Sequence, residues 1–185
     1  VTALYVGRVS VEKNLALLAD AFIKVCESLS NVHLVVVGDG PYYEDMKKIL
    51  AGYPCVFTGY LSGEPLYSTY ASSDFFVFPS TTDTFGNVVM EAQSSGLPVI
   101  VTDQGGPVEN MIPGKTGLTV RGGDRLDLVQ AMAALFTDES LRREMGRNAR
   151  EYMETRSFES AYIASWKLIE DTFPGLPEER LVKAG

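Results

Sequence analysis

Two cysteines and one histidine are all that 185 residues carry of the usual soft metal ligands. Cys26 and Cys55 stand at no metal-ligand spacing and read as reduced, buried thiols of a cytosolic setting, so no bound metal is expected. His33 opens an apolar run and reads as a satisfied structural residue. No apolar stretch approaches the roughly 20 residues of a membrane span, and no signal peptide precedes Val1. Because the chain opens inside a strand, a leader cut away upstream would leave no trace. Positive charge is also short: 16 Lys and Arg face 24 Asp and Glu, for a net charge of −8. That balance repels nucleic acid, so no nucleic-acid partner is expected and any anion site must be local. No G-x-G-x-x-G follows the first strand, which disfavours a dehydrogenase. Internal repeats and low-complexity segments are absent.

What is present suits one soluble domain with a sizeable core: 45% hydrophobic and 22% charged residues in a chain of this length. Apolar runs at 2–7, 34–37, 56–61, 75–78, 98–102 and 117–120 read as strands. Between them lie helical spacings: Leu15 to Leu29, a helix opened by the Gly38-Asp39-Gly40-Pro41 turn, Leu66 to Ala71, a helix starting near Phe85 or Gly86, and Val108 to Ile112. Asp124 reads as the N-cap of a helix over Leu126 to Phe136, and another helix covers about Leu141 to Met153. A last helix puts Tyr162, Trp166, Ile169 and Phe173 on one stripe, which fits packing on its own domain or docking on a second one. Residues 1–173 form the expected domain and 174–185 a tail. The alternation predicts an α/β, Rossmann-like, doubly wound parallel sheet of six strands with helices on both faces, plus C-terminal helices.

The stretch from Phe78 to Thr102 concentrates the chemistry. Thr81, Thr82, Asp83 and Thr84 are cap-type residues before a helix whose opening N–H groups favour an anionic or hydroxyl-rich ligand. Glu91 follows Asp83 by eight residues, about two turns, so both carboxylates can face one cleft and accept from a vicinal diol. Asp83 alone also reads as a simple cap. Glu91 sits among apolar neighbours, where an unpaired acid is costly, so a partner or ligand is expected for it. In strand order 3-2-1-4-5-6, the loop holding Arg8 and Lys13 faces the one holding Asp83, and ligands bind beyond the carboxyl ends of those strands. Two cations that elsewhere read as surface charges then meet two acids at a helix start, a set suited to a nucleoside diphosphate attached to a sugar.

Several ordered motifs carry a family likeness. Asp83-Thr-Phe-Gly-Asn-Val-Val-Met-Glu91 with Gly96-Leu97-Pro98-Val99, together with GRVSVEKN, VVVGDGP, VFTGYL and FFVFPS, resembles the C-terminal domain of family 4 retaining glycosyltransferases of GT-B fold. The likeness runs from the first strand to about Trp166. It implies that Arg8 and Lys13 hold the diphosphate and stabilise the leaving group, and that Glu91 binds the ribose. Asp83 would bind the donor hexose with the N–H groups around Phe85, Gly86 and Asn87, and Val88 would lie beside the nucleotide. The base would rest near Gly38, Gly40, Tyr60 and Leu61. Arg8, Lys13 and Asp83 form the implied catalytic set.

The same resemblance implies transfer of a hexose from GDP-mannose or a UDP-sugar with retention, without metal or other cofactor. The acceptor would be bound by an N-terminal domain outside this chain, and the isolated domain would turn over little. The parent is expected in the cytoplasm, peripheral to the membrane face. Asp83 departs from the family's glutamate: it is shorter by one methylene, which either alters donor preference or is tolerated because aspartate keeps the charge and acceptor geometry. A nucleotide-sugar epimerase, a phosphorylase-like enzyme and a non-catalytic nucleotide-binding domain are the rival readings.

Overall fold

A computed structural model describes residues 1–156, 166–168 and 171–172. Among these residues six strands, β1 (Thr2–Val6), β2 (His33–Val37), β3 (Cys55–Gly59), β4 (Phe75–Phe78), β5 (Val99–Thr102) and β6 (Gly117–Val120), pair side by side in the order β3-β2-β1-β4-β5-β6. Every pairing is parallel. The helices are α1 (Leu15–Cys26), α2 (Tyr43–Ile49), α3 (Glu64–Ala71), α4 (Asn87–Ser94), α5 (Arg125–Thr137) and α6 (Glu139–Glu154).

Side-chain alternation along β4 shows how the faces are covered. Phe75 meets Phe136 of α5 edge-on, with ring centroids 4.8 Å apart, and Phe136 in turn touches Phe22 of α1. The next residue, Phe76, points the other way and packs on Tyr70 of α3 at 6.2 Å. Neighbouring strand residues face opposite sides of a sheet, so α1 and α5 cover one face and α3 the other. All four β4 side chains are buried, as expected of a central parallel strand covered on both faces. Burying an apolar side chain of this size contributes about 1.5–3 kcal/mol, so this central strand with its neighbours β1 and β5 supplies much of the core.

The elements depart from expectation mainly at their ends. β1 stops at Val6 and β3 at Gly59, so Gly7, Tyr60 and Leu61 belong to loops rather than strands. Gly59 adopts φ +72°, which leaves the extended region and ends the strand there. Helix α1 ends at Cys26 although the apolar spacing runs on to Leu29. A 3₁₀ turn at Val11–Lys13 precedes α1, and the helix expected over Val108 to Ile112 is instead a 3₁₀ turn, Gly106–Asn110. Asp124 caps α5 as expected, its carboxylate accepting from the N–H groups of Leu126 and Asp127.

Cys55 opens β3 and both cysteines are only partly buried, a correction to the fully buried reading. Burial, then the nearby Cys26, pushes the Cys55 thiol up to about 12. His33 is exposed at the start of β2. Of the apolar stripe expected on the last helix, only Trp166 falls within the described residues; the remainder and the tail lie outside them. No helix among the described residues is long and apolar enough to cross a membrane.

Candidate functional site

The loops at the carboxyl ends of β1, β2, β3 and β4 meet in one crevice, and their backbones are fastened to one another. Gly7 N–H donates to Val37 O at 3.0 Å, Val9 N–H to Asp39 O at 2.9 Å, Tyr42 N–H to Val9 O at 3.0 Å and Gly38 N–H to Gly59 O at 2.8 Å. Gly38 and Gly40 permit this seam, because a Cβ there would stand 1.9 Å from Gly7 O and 2.3 Å from Val9 O respectively. Beneath the first loop, buried Tyr5 stacks on Phe78 and donates its hydroxyl to Arg8 O at 2.9 Å. Burial, followed by the charges of Asp83 and Glu12, drives the Tyr5 hydroxyl well above its ordinary range, so it stays a neutral donor.

Across the crevice, the β1 and β4 loops are tied side chain to backbone. Asn14, in the left-handed region at φ 55°, donates to Pro79 O and to Thr81 Oγ1 at 3.1 and 3.3 Å. Lys13 Nζ pairs with Asp83 Oδ2 at 2.8 Å, both side chains partly buried. Asp83 is therefore not a helix cap. Helix α4 begins at Asn87 after Gly86, without a side-chain cap from that residue, and Asn87 lines the same cleft as Asp83.

Two clefts open here. The larger, of about 720 Å³, is lined by Arg8, Gly38, Asp39, Tyr60, Leu61, Tyr67, Val88 and Glu91, among others. The smaller, of about 330 Å³, is lined by Lys13, Asp83, Phe85, Gly86 and Asn87, and both share Gly7, Arg8 and Val88. The two acids thus face neighbouring compartments joined at Arg8. The Arg8 guanidinium is exposed and forms no hydrogen bond or ion pair among the described residues. Glu91 is exposed at the rim rather than enclosed by apolar neighbours, and its partner is the Tyr70 hydroxyl at 2.9 Å. Burial, then the Glu91 charge and the hydrogen bond to it, raises the Tyr70 hydroxyl far above its usual range.

Of the residues expected at the site, the structure brings all into these clefts except Gly40, which lines neither. Sequence reading missed Leu66 and Tyr67, which α3 turns into the larger cleft, and Tyr70 behind Glu91. Their signal was position: α3 starts immediately after the Tyr60-Leu61 loop, so its first turns border the same space. Exposed rings at Tyr60, Tyr67 and Phe85 give the mouth apolar surface suited to a planar or sugar ligand. Chemically, the crevice offers one uncommitted cation, a cation–carboxylate pair, a rim carboxylate and a helix start, arranged around a single junction.

Comparison with known proteins agrees. The family model described as glycosyl transferases group 1 matches residues 1–152. The sulfoquinovosyl transferase of Arabidopsis thaliana is 43% identical over 162 residues, covering 85% of this chain and 31% of the relative. A GDP-mannose-dependent alpha-mannosyltransferase of Corynebacterium glutamicum is 35% identical, covering 84% of this chain and 36% of the relative. The chain thus spans about a third of the length of these relatives. Among solved structures, an Anabaena protein, HepE, in complex with UDP superposes with a TM-score of 0.77 at 21% identity, over 92% of this chain and 48% of that one.

Proposed function

The chain belongs to the group 1 glycosyl transferases, and from that premise we propose that it is the donor-binding half of an enzyme that moves a hexose from a nucleoside diphosphate sugar to an acceptor. The observation that carries this reading is the junction at Arg8, where an exposed cation that forms no hydrogen bond or ion pair among the described residues stands between the Glu91 compartment and the Lys13–Asp83 compartment. A dianionic bridge flanked by two hydroxyl-bearing rings has the matching layout. In this proposal the diphosphate lies over Arg8, and the N–H groups around Phe85, Gly86 and Asn87 face the hexose. The ribose hydroxyls donate to Glu91, whose orientation Tyr70 fixes, and the base rests along Tyr60, Leu61 and Tyr67.

The hexose then falls to the smaller cleft. Asp83 accepts from its hydroxyls while remaining beside Lys13. Transfer breaks the bond between the anomeric carbon and the diphosphate oxygen, whose bonding electrons leave with the diphosphate, and forms a bond from that carbon to an acceptor hydroxyl oxygen, whose proton passes to the leaving diphosphate. Arg8 and Lys13 are aimed at that developing charge, the role a metal plays in other transferases. GDP-mannose and UDP-sugars are the donor classes proposed; the Corynebacterium relative is named for GDP-mannose and the Anabaena structure holds UDP. The acceptor is assigned to a further domain of the parent protein, consistent with the chain's share of its relatives' length.

Product analysis of the full-length parent tests the reading. Incubated with GDP-mannose or UDP-glucose and an acceptor, it is expected to form a glycoside whose anomeric proton, read by NMR, keeps the donor's configuration. An inverted product, or a donor epimerised without transfer, contradicts it.

A further inference from the structure

The loop that carries Asp83 is held from behind by the connection after β5, which the donor reading leaves without a role. Three successive contacts do this. Gly106 N–H donates to Asp83 O at 2.9 Å. Gly106 itself abuts the next residue, since a Cβ there would lie 2.0 Å from Thr84 O. The Asn110 side-chain amide donates to Phe85 O. Asn110 is in turn held in place, because Gln93 of α4 donates its Nε2 to Asn110 O at 2.6 Å and to Val89 O at 3.4 Å. Asn110 is 2% exposed and Gln93 is fully buried.

The energetics of Gln93 are informative. Its Oε1 has no hydrogen-bond partner among the described residues, and an unsatisfied buried polar atom of this kind costs about 1–3 kcal/mol. An apolar side chain of the same length would avoid that cost but leave the Asn110 carbonyl without its donor, so the two effects oppose each other. What glutamine contributes at this position is the donor that fixes Asn110.

We propose that Gln93 and Asn110 are positioning residues that set the Phe85 carbonyl, and with it Asp83 and the start of α4, for contact with the sugar portion of the donor. The proposal rests on the donor reading above and extends it to two side chains that touch no cleft. Phe85, Gly86 and Asn87 line the smaller cleft, so a shift of the Phe85 peptide moves the groups assigned to the hexose. Glu91, Tyr60 and Leu61 line the larger cleft alone and Arg8 lines both, and all four are fastened through the β1, β2 and α3 contacts instead. Losing the clamp therefore affects the hexose and spares the nucleotide.

Titration of this chain with UDP, GDP, UDP-glucose and GDP-mannose tests it, comparing wild type with Gln93→Met and Asn110→Leu and recording thermal unfolding of each. Both variants are expected to lose roughly three- to tenfold in affinity for the sugar nucleotide, with diphosphate affinity within about twofold of wild type. Gln93→Met removes the unpartnered oxygen and also strips the Asn110 carbonyl of its donor, so these opposing effects are expected to keep its unfolding temperature within a few degrees of wild type, and a diphosphate affinity held near wild type shows that its loss of sugar affinity does not come from a damaged fold. Equal losses for both kinds of ligand, or no loss for either, overturn the clamp while leaving the donor reading intact. A wild-type chain that binds neither diphosphate overturns the donor reading and the clamp with it.

Discussion

Gly38→Ala is expected to destabilise the domain by about 3 kcal/mol or more, lowering its unfolding temperature by roughly 6–12 °C for a chain of this size. The added methyl would sit 1.9 Å from Gly7 O and 3.0 Å from Gly7 C, both backbone atoms that no rotamer change can move aside. Residue 38 also holds φ +129°, where a side chain is strained even in open space. Relief requires the β1 and β2 loops to part, which breaks the Gly7–Val37 and Val9–Asp39 hydrogen bonds and widens the larger cleft that these loops line. Gly52→Ala is the control. It has φ +87° and nothing within 4 Å of the added methyl, so only the backbone strain of about 1 kcal/mol is expected there. Differential scanning calorimetry of the two variants separates contact from strain; equal shifts would refute the seam between the loops.

Arg8→Ala in the full-length parent is expected to lower kcat about 10²–10³-fold while leaving the unfolding temperature within a degree or two of wild type. The stability half follows from exposure: the guanidinium has no partner among the described residues to lose. The kinetic half follows from its place at the junction of both clefts and from the proposed reaction, in which the leaving diphosphate gains charge only as the bond to the sugar breaks. Steady-state kinetics with saturating donor reads the difference. A variant that loses affinity for donor with kcat unchanged would mean that Arg8 binds ground and transition states alike.

Much of the fold was legible because each strand is a short buried run closed by a turn signal, and because alternation with helices leaves few parallel topologies. Phe75–Phe78 and Gly117–Val120 were found at their true limits, as was the cap at Asp124. Strand ends at Gly7 and Gly59 were misread, since loop geometry there depends on positive φ and on backbone contacts across neighbouring strands. The site was legible as a set of residues but not as a set of pairs. Lys13 and Asp83 lie 70 positions apart, and Tyr70 and Glu91 21 apart, so their contacts exist only once the topology brings β1, α3 and α4 together. The inference that apolar sequence neighbours enclose Glu91 failed for a related reason: α4 turns its neighbours Val89 and Ala92 inward and leaves Glu91 on the rim. Gln93 and Asn110 gave no signal at all, because a buried amide pair between a helix and a 3₁₀ turn follows no local pattern.

Binding of a sugar donor's nucleoside diphosphate through Arg8 and Glu91 is tested by calorimetric titration of the chain with GDP and UDP in parallel, repeated on Glu91→Ala. At least one of the two is expected to bind at millimolar concentration or below, and Glu91→Ala to weaken that nucleotide by about tenfold or more through the lost ribose contact. Failure of both nucleotides to bind at millimolar ligand, or binding that is unchanged in Glu91→Ala, would contradict it.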